Sequence, residues 1–136
     1  MNEQPTSSEA ADDLDDLTRR TIGAAIEVHR HIGPGFFERV YNEALCSELT
    51  TREIAFERQV ELPVIYKGEC VGKGRADLIV EERLIVELKT VSEILPVHRA
   101  QTGSYLKAAD LRLGLLLNFN VALLKHGIRR IVNPDG

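Results

Sequence analysis

The hydrophobic pattern of this chain changes its period once. Up to about Arg52 the apolar residues recur at helical spacing; from Phe56 they alternate, in a stretch rich in β-branched and aromatic side chains. Two amphipathic helices followed by strands must be laid against a sheet, which makes the fold α+β or mixed α/β, layered around one core. Leu14, Leu17, Ile22, Ala25, Ile26 and Val28 mark the first helix, with Ser8 or Asp12 as its cap and His31-Ile32-Gly33 as its stop. Gly33-Pro34-Gly35 cannot continue it, because two glycines flank a residue that lacks an N–H. Phe37, Val40, Tyr41, Ala44, Leu45 and Leu49 predict a second helix from Phe36 to about Arg52. Strands are expected over 56–66, 71–80 and 84–89, turning at Lys67-Gly68 and at Glu81-Glu82-Arg83. Pro96 suits the first turn of a third helix ending near Ala109. Leu111–Phe119 is nearly all apolar, as a strand covered on both faces must be, and Ile128–Val132 adds the last strand. The order is ααβββαββ.

The 136 residues give room for one domain. With 43% hydrophobic and 28% charged residues the composition is that of a globular protein and not of a disordered or fibrous one. The apolar run Leu113–Leu117 is far too short to cross a bilayer, so no membrane association is expected. The polar, acidic first ten residues do not resemble a signal peptide. Cys46 and Cys70 form neither a disulfide framework nor a C-x-x-C pair, and the expected location is cytoplasmic.

The charge is asymmetric. Six of the 21 acidic residues (Glu3, Glu9, Asp12, Asp13, Asp15 and Asp16) precede the first basic residue, Arg19. Residues 1–18 thus carry −6, and the remainder, 17 Lys and Arg against 15 acids, carries +2. Residues 1–11 read as an acidic, flexible arm and 12–136 as the domain. The arm is either a solvated helix start or a segment that competes with a polyanionic ligand.

Chemistry concentrates in Gly74-Arg75-Ala76-Asp77 and Glu87-Leu88-Lys89. Period-2 geometry places Glu87 and Lys89 on one face of a strand and Leu88 on the other. A Glu and a Lys ending a strand that begins Leu84-Ile85-Val86 are costly there unless paired or bound to a metal. If Asp77 stands opposite Glu87, the connection needs an odd number of residues, such as 81–83. Two carboxylates then converge beside an ammonium. Such a group can hold Mg²⁺ and leave positions for phosphate oxygens; an ordinary cross-strand ion pair is the other reading. Glu38 and Tyr41 share a helix face, and with Gly35 as N-cap Glu38 would sit at the third helical position as a capping carboxylate. Gln101 and Tyr105 stand at i, i+4 on the third helix, with His98 one turn before Gln101.

These residues match a known family. Gly35-Phe36-Phe37-Glu38-Arg39-Val40-Tyr41 fits the pattern of the GxxExxY proteins, and the resemblance runs on through Gly74–Asp77, Val86–Lys89, Leu95–Gln101 and Leu115–Phe119, over about residues 16–133. That family is placed in the PD-(D/E)XK nuclease superfamily. The resemblance implies a restriction-endonuclease-like αβββαβ core, here with an extra N-terminal helix. It also implies that Glu38, Asp77 and Glu87 bind Mg²⁺ or Mn²⁺ with the Leu88 carbonyl as a further ligand, and that Lys89 is the catalytic lysine. Gln101-Thr102-Gly103-Ser104-Tyr105 fits the Q-x-x-x-Y element of RecB-type nucleases, which helps to organise the site. Ala76 stands where the superfamily motif has proline, and the two cysteines cannot supply the four that an iron–sulfur cluster would need.

The expected function is therefore metal-dependent hydrolysis of nucleic acid, DNA in preference to RNA. The alternative is a non-catalytic module that keeps the fold and binds nucleic acid or protein. So small a chain grips a duplex weakly, so a homodimer or protein partner is expected. His29 and His31 suit a helix C-terminus or the surface better than a metal, and both cysteines read as inert. Gly72 and Gly74 precede a strand and not a helix, which rules out a nucleotide loop. Lys67, Lys73, Arg75, Arg99 and Lys107 are either scattered surface charges or phosphate contacts.

Overall fold

A computed structural model describes residues 7–135. Three helices, α1 (Ser7–Ile32), α2 (Glu38–Thr51) and α3 (Pro96–Ala109), cover a sheet of five strands in the order β1-β2-β3-β4-β5. The strands are β1 (Phe56–Tyr66), β2 (Glu69–Val80), β3 (Leu84–Lys89), β4 (Leu113–Asn118) and β5 (Ile128–Val132), with a single 3₁₀ turn at Leu124–Gly127. β1, β2 and β3 form an antiparallel meander, β3 and β4 run parallel through the α3 crossover, and β5 returns antiparallel. This is the mixed α+β arrangement expected, with the extra helix in front. Among the described residues no helix is long and apolar enough to cross a membrane.

The helix starts differ from those expected. α1 already runs at Ser7, so Ser8 and Asp12 lie inside the helix and neither caps it. The arm expected over residues 1–11 is helical from Ser7, and residues 1–6 lie outside the described residues. The Arg83 guanidinium donates to the Ala10 carbonyl at 3.1 Å, tying this end of α1 to the β2–β3 turn. α2 starts two residues later than expected, with Phe37 at the N-cap, so Glu38 is its first residue and not its third. Gly33 and Gly35 explain the delay. Both have positive φ, +72° and +107°, which L side chains adopt at a cost, and the chain must unwind there before it can turn again.

One core layer lies between the sheet and α1 with α2, and includes Leu17, Ala25, Leu45, Leu78, Val86, Leu88 and Phe119. The other lies under α3, where Leu62, Ala76, Ile85 and Leu106 are packed with Tyr105 and Ile131. β3 and β4 are buried along almost their whole length, which is why both read as apolar runs. α1 also buries Thr18 and Thr21, whose hydroxyls donate to the carbonyls four residues back at 2.7 and 2.8 Å. That internal bond lets a polar residue take a core position.

The two layers show where the pleat breaks. In β2, Leu78 and Val80 face α1 and α2, whereas Ala76 faces α3. In β1, Phe56 lies against the first layer and Val60 and Leu62 against the second. Residues two apart on a regular strand share a face, so each strand has switched sides. The switch falls at one level: the pairs Arg58↔Leu78 and Val60↔Ala76 flank Gln59 and Asp77, and Gln59 has φ +50°.

Candidate active site

Asp77 therefore occupies an irregular position on both its sides. Toward β3 the ladder pairs Val80↔Leu84, Ile79↔Ile85 and Leu78↔Val86, with the three residues 81–83 as the connection. The next pair in that register is Asp77 and Glu87, and there side chains replace the ladder. The Asp77 N–H donates to Glu87 Oε2 at 2.9 Å, and the Leu88 N–H donates to Asp77 Oδ2 at 2.9 Å. Beyond this point β2 stays with β1 while β3 continues along β4 to Lys89↔Asn118, so the sheet parts between its second and third strands.

Glu87 is 3% exposed and lies on the α3 face. Burial, then the Asp77 charge, then a side-chain hydrogen bond with Asp77 push its carboxyl far up, to about 9; the Asp77 N–H and Lys89 pull the other way and do not compensate. Two carboxyls in one half-buried place thus lack the positive charge to keep both ionised. Lys89 is one strand step further, and its Nζ donates to Gln101 Oε1 on α3 at 3.3 Å. Glu38 approaches from α2. Its carboxyl is raised by burial and by Asp77, and lowered by Lys89 and His98. The four charged groups thus feel one another across three elements.

The flanking residues hold these elements in place. His98 Nδ1 accepts the Leu95 N–H at 2.9 Å, closing the first turn of α3. Tyr41, fully buried, stacks on Phe119 with centroids 4.6 Å apart. Its hydroxyl donates to the Gly33 carbonyl at 2.6 Å and accepts the Phe36 N–H at 3.3 Å. The Gly, Glu and Tyr of the motif therefore divide the work: glycines make the turn, Tyr41 bolts it to the core, and Glu38 emerges from it. The Tyr105 ring lies on β2, where a Cβ at Gly74 would come within 2.5 Å of Tyr105 Cε1. Tyr105 makes no hydrogen bond to the carboxylates or to Lys89 among the described residues; it lines an open groove of about 460 Å³ between the β1–β2 hairpin and α3.

Asn118 carried no expectation, yet it fixes the segment after Lys89. Buried at the end of β4, it accepts the Val91 N–H at 3.1 Å and donates to the Val91 carbonyl at 2.9 Å, while Phe119 N–H bonds the Lys89 carbonyl at 2.9 Å. Its signal in the sequence is a single amide ending an otherwise apolar strand. His29 differs from expectation: it is buried, and its Nε2 meets the Phe119 carbonyl at 3.1 Å. His31 pairs with Glu27 at the surface. Burial raises the Cys46 thiol, consistent with an inert residue. A hollow of about 610 Å³ lies between the end of α1 and the 3₁₀ turn and contains none of the charged group.

The donor set fits a hard divalent cation: carboxylate oxygens of Asp77, Glu87 and Glu38 together with the Leu88 carbonyl, and an excess of buried negative charge for a cation to offset. Among the described residues no three His, Cys, Asp or Glu side chains already stand close enough to hold a metal.

A model of the PD-(D/E)XK nuclease superfamily matches residues 15–131, and the chain belongs to that superfamily. A solved structure titled "Crystal structure of SSO0001" is 25% identical with a TM-score of 0.56. That match covers 71% of this chain and 50% of the other, so this chain spans about half the length of that structure. No curated protein matches.

Proposed function

We propose that the chain is a nuclease that hydrolyses phosphodiester bonds in the cytoplasm with Mg²⁺ or Mn²⁺, on DNA in preference to RNA. The observation that carries this reading is Glu87, a buried carboxyl kept opposite Asp77 at the point where β2 and β3 separate. Such a pair is expensive without a cation. Asp77, Glu87 and Glu38, with the Leu88 carbonyl, would hold the ion. When bound, it acidifies water and offsets the charge that builds on phosphate oxygens.

The protein's own groups do the rest. Lys89, held by Gln101, directs ammonium N–H groups at an oxygen of the phosphate or of the attacking water. The bond to Gln101 positions that ammonium. Tyr105, seated on Gly74, keeps α3 against β2 and thereby keeps Gln101 in reach. The Leu88 N–H holds the Asp77 carboxylate and the Asp77 N–H that of Glu87, each from the neighbouring strand.

The second reading is a non-catalytic module that keeps the fold and binds nucleic acid or protein. In either case a second copy or a partner protein would enlarge the contact surface. The test is incubation of single- and double-stranded DNA and RNA with Mg²⁺, Mn²⁺ or EDTA, beside Lys89→Ala. Metal-dependent cleavage lost in the variant supports the nuclease. No cleavage together with no metal binding by calorimetry leaves the module.

A further inference from the structure

Two short loops frame the charged group, and both expose apolar side chains. Phe36 and Phe37 immediately precede Glu38 and are 52% and 86% exposed; Leu95 and Val97 open α3 just before His98 and are 42% and 65% exposed. A single exposed hydrophobe on a protein surface is ordinary. Here four come from two segments far apart in sequence, beside one site, and Phe37 is the most exposed of them. α2 and α3 both pack on β3, and Gln101 touches Lys89, so the heads of both helices belong to the same end of the sheet.

The backbone at Phe37 is also held. Phe36 rests edge-on against Tyr41, with centroids 6.5 Å apart at 70°. The Phe37 carbonyl accepts the Val40 N–H at 3.0 Å, and the Tyr41 hydroxyl joins the Phe36 N–H to the Gly33 carbonyl. The backbone beneath the ring is therefore fixed on both sides, and ordering it on binding costs little entropy. Beside the Glu38 carboxylate, two guanidinium groups are free to meet an anion. Arg39 follows Glu38 and Arg99 follows His98, both exposed, and neither forms an ion pair among the described residues.

An exposed aromatic ring on a fixed backbone, with Arg39 and Arg99 on the first turns of the same two helices, complements a strand whose bases are unpaired. Every base offers a π-face to stack, and the phosphates on either side of it meet the cations. A fully paired duplex offers no such face except at its ends. We propose that Phe37 is a stacking platform for an unpaired base, and that the substrate of the neighbouring site is a single strand or a single-stranded end of DNA or RNA. The substrate class rests on the nuclease reading; the stacking contact does not, and binding tests it separately.

The chain contains no tryptophan, so Phe37→Trp installs a single indole reporter at the platform. The full-length variant would be titrated without divalent ions against a twelve-nucleotide oligodeoxythymidylate and a blunt twenty-base-pair duplex. The expected result is saturable quenching by the single strand. Phe37→Ala, at so exposed a position, leaves folding intact; anisotropy with a labelled oligonucleotide should show its single-strand affinity lowered about tenfold. Its duplex affinity should remain that of the parent. Unchanged single-strand affinity in Phe37→Ala, no quenching in Phe37→Trp, or an equal loss toward duplex overturns the proposal. A changed sedimentation state in Phe37→Ala with unchanged oligonucleotide affinity overturns it too, and makes the ring a protein contact. Quenching without cleavage under any metal would keep the platform and refute the nuclease. Cleavage with neither quenching nor weakened binding would do the reverse.

Discussion

Asp77 and Glu87 face each other across two antiparallel strands and exchange no ladder bond; instead the Asp77 N–H donates to the Glu87 carboxylate, and Asp77 accepts the N–H that follows Glu87. Each acid thereby anchors the other's strand. The carboxyls do structural service while their remaining oxygens stay available, and the sheet can part without leaving these N–H groups unpaired.

Because Glu87 is the group most displaced from its ordinary ionisation, it governs the pH behaviour. Its carboxyl is raised to about 9, whereas in the unfolded chain it releases its proton near 4.5. Between these values the folded protein holds the extra proton, so stability without metal falls as pH rises through this window. Thermal unfolding in EDTA from pH 5 to 9 should show the decline, and Glu87→Gln should flatten it.

Divalent cations should oppose the same proton. Mg²⁺ or Mn²⁺ affinity should rise with pH over that interval, with protons released on binding. Calorimetry in two buffers of different ionisation heat measures the release. In Glu87→Gln the cation should no longer raise the melting temperature, although the apo protein is expected to be more stable than the parent.

Removing the Tyr41 hydroxyl tests the bolt under the Gly33–Phe36 turn. Tyr41→Phe keeps the stack on Phe119 and loses the 2.6 Å bond to Gly33 and the contact from Phe36. It should cost about 1–2 kcal/mol in urea unfolding. The metal-dependent activity should fall more than stability alone explains, because Glu38 leaves the same turn.

Gly74→Ala places a methyl where the Tyr105 ring lies. Overpacking of this kind costs about 1–3 kcal/mol. Combined with Tyr105→Ala the loss should be smaller than the sum of the two single losses, which a double-mutant cycle would register. Additive losses would separate the two residues.

Much of this fold is legible in the sequence because its periods are clean. The acid–x–Lys strand, the three-residue connection that sets Asp77 opposite Glu87, and the crossover helix all follow from spacing. The misread places are those where tertiary contact outweighs local pattern. α2 begins at Glu38 because Gly33 and Gly35 unwind the chain and Tyr41 then holds that turn, a bond between residues whose approach only the folded chain reveals. His29 is buried where the carbonyl of Phe119, ninety residues away and just past β4, meets its ring. Nor does alternation disclose the double change of face at Gln59 and Asp77, since the backbone there departs from the period that the pattern assumes. Asn118 stayed unnoticed for a related reason: its partners are main-chain atoms, which no side-chain pattern records.

The parallel pairing of β3 with β4 bears on how the molecule comes into being. The meander of the first three strands closes through short connections, whereas β4 reaches β3 only after the whole of α3 has crossed over. Contacts distant along the chain cost more entropy to close and are expected to form late. Gln101, Asn118 and Phe119 all arrive with that step. A nascent chain that has made only its meander would carry the acids and the lysine without Gln101, Asn118 and Phe119, so under the proposed nuclease function hydrolytic competence should appear at the final docking event of folding and mark its completion.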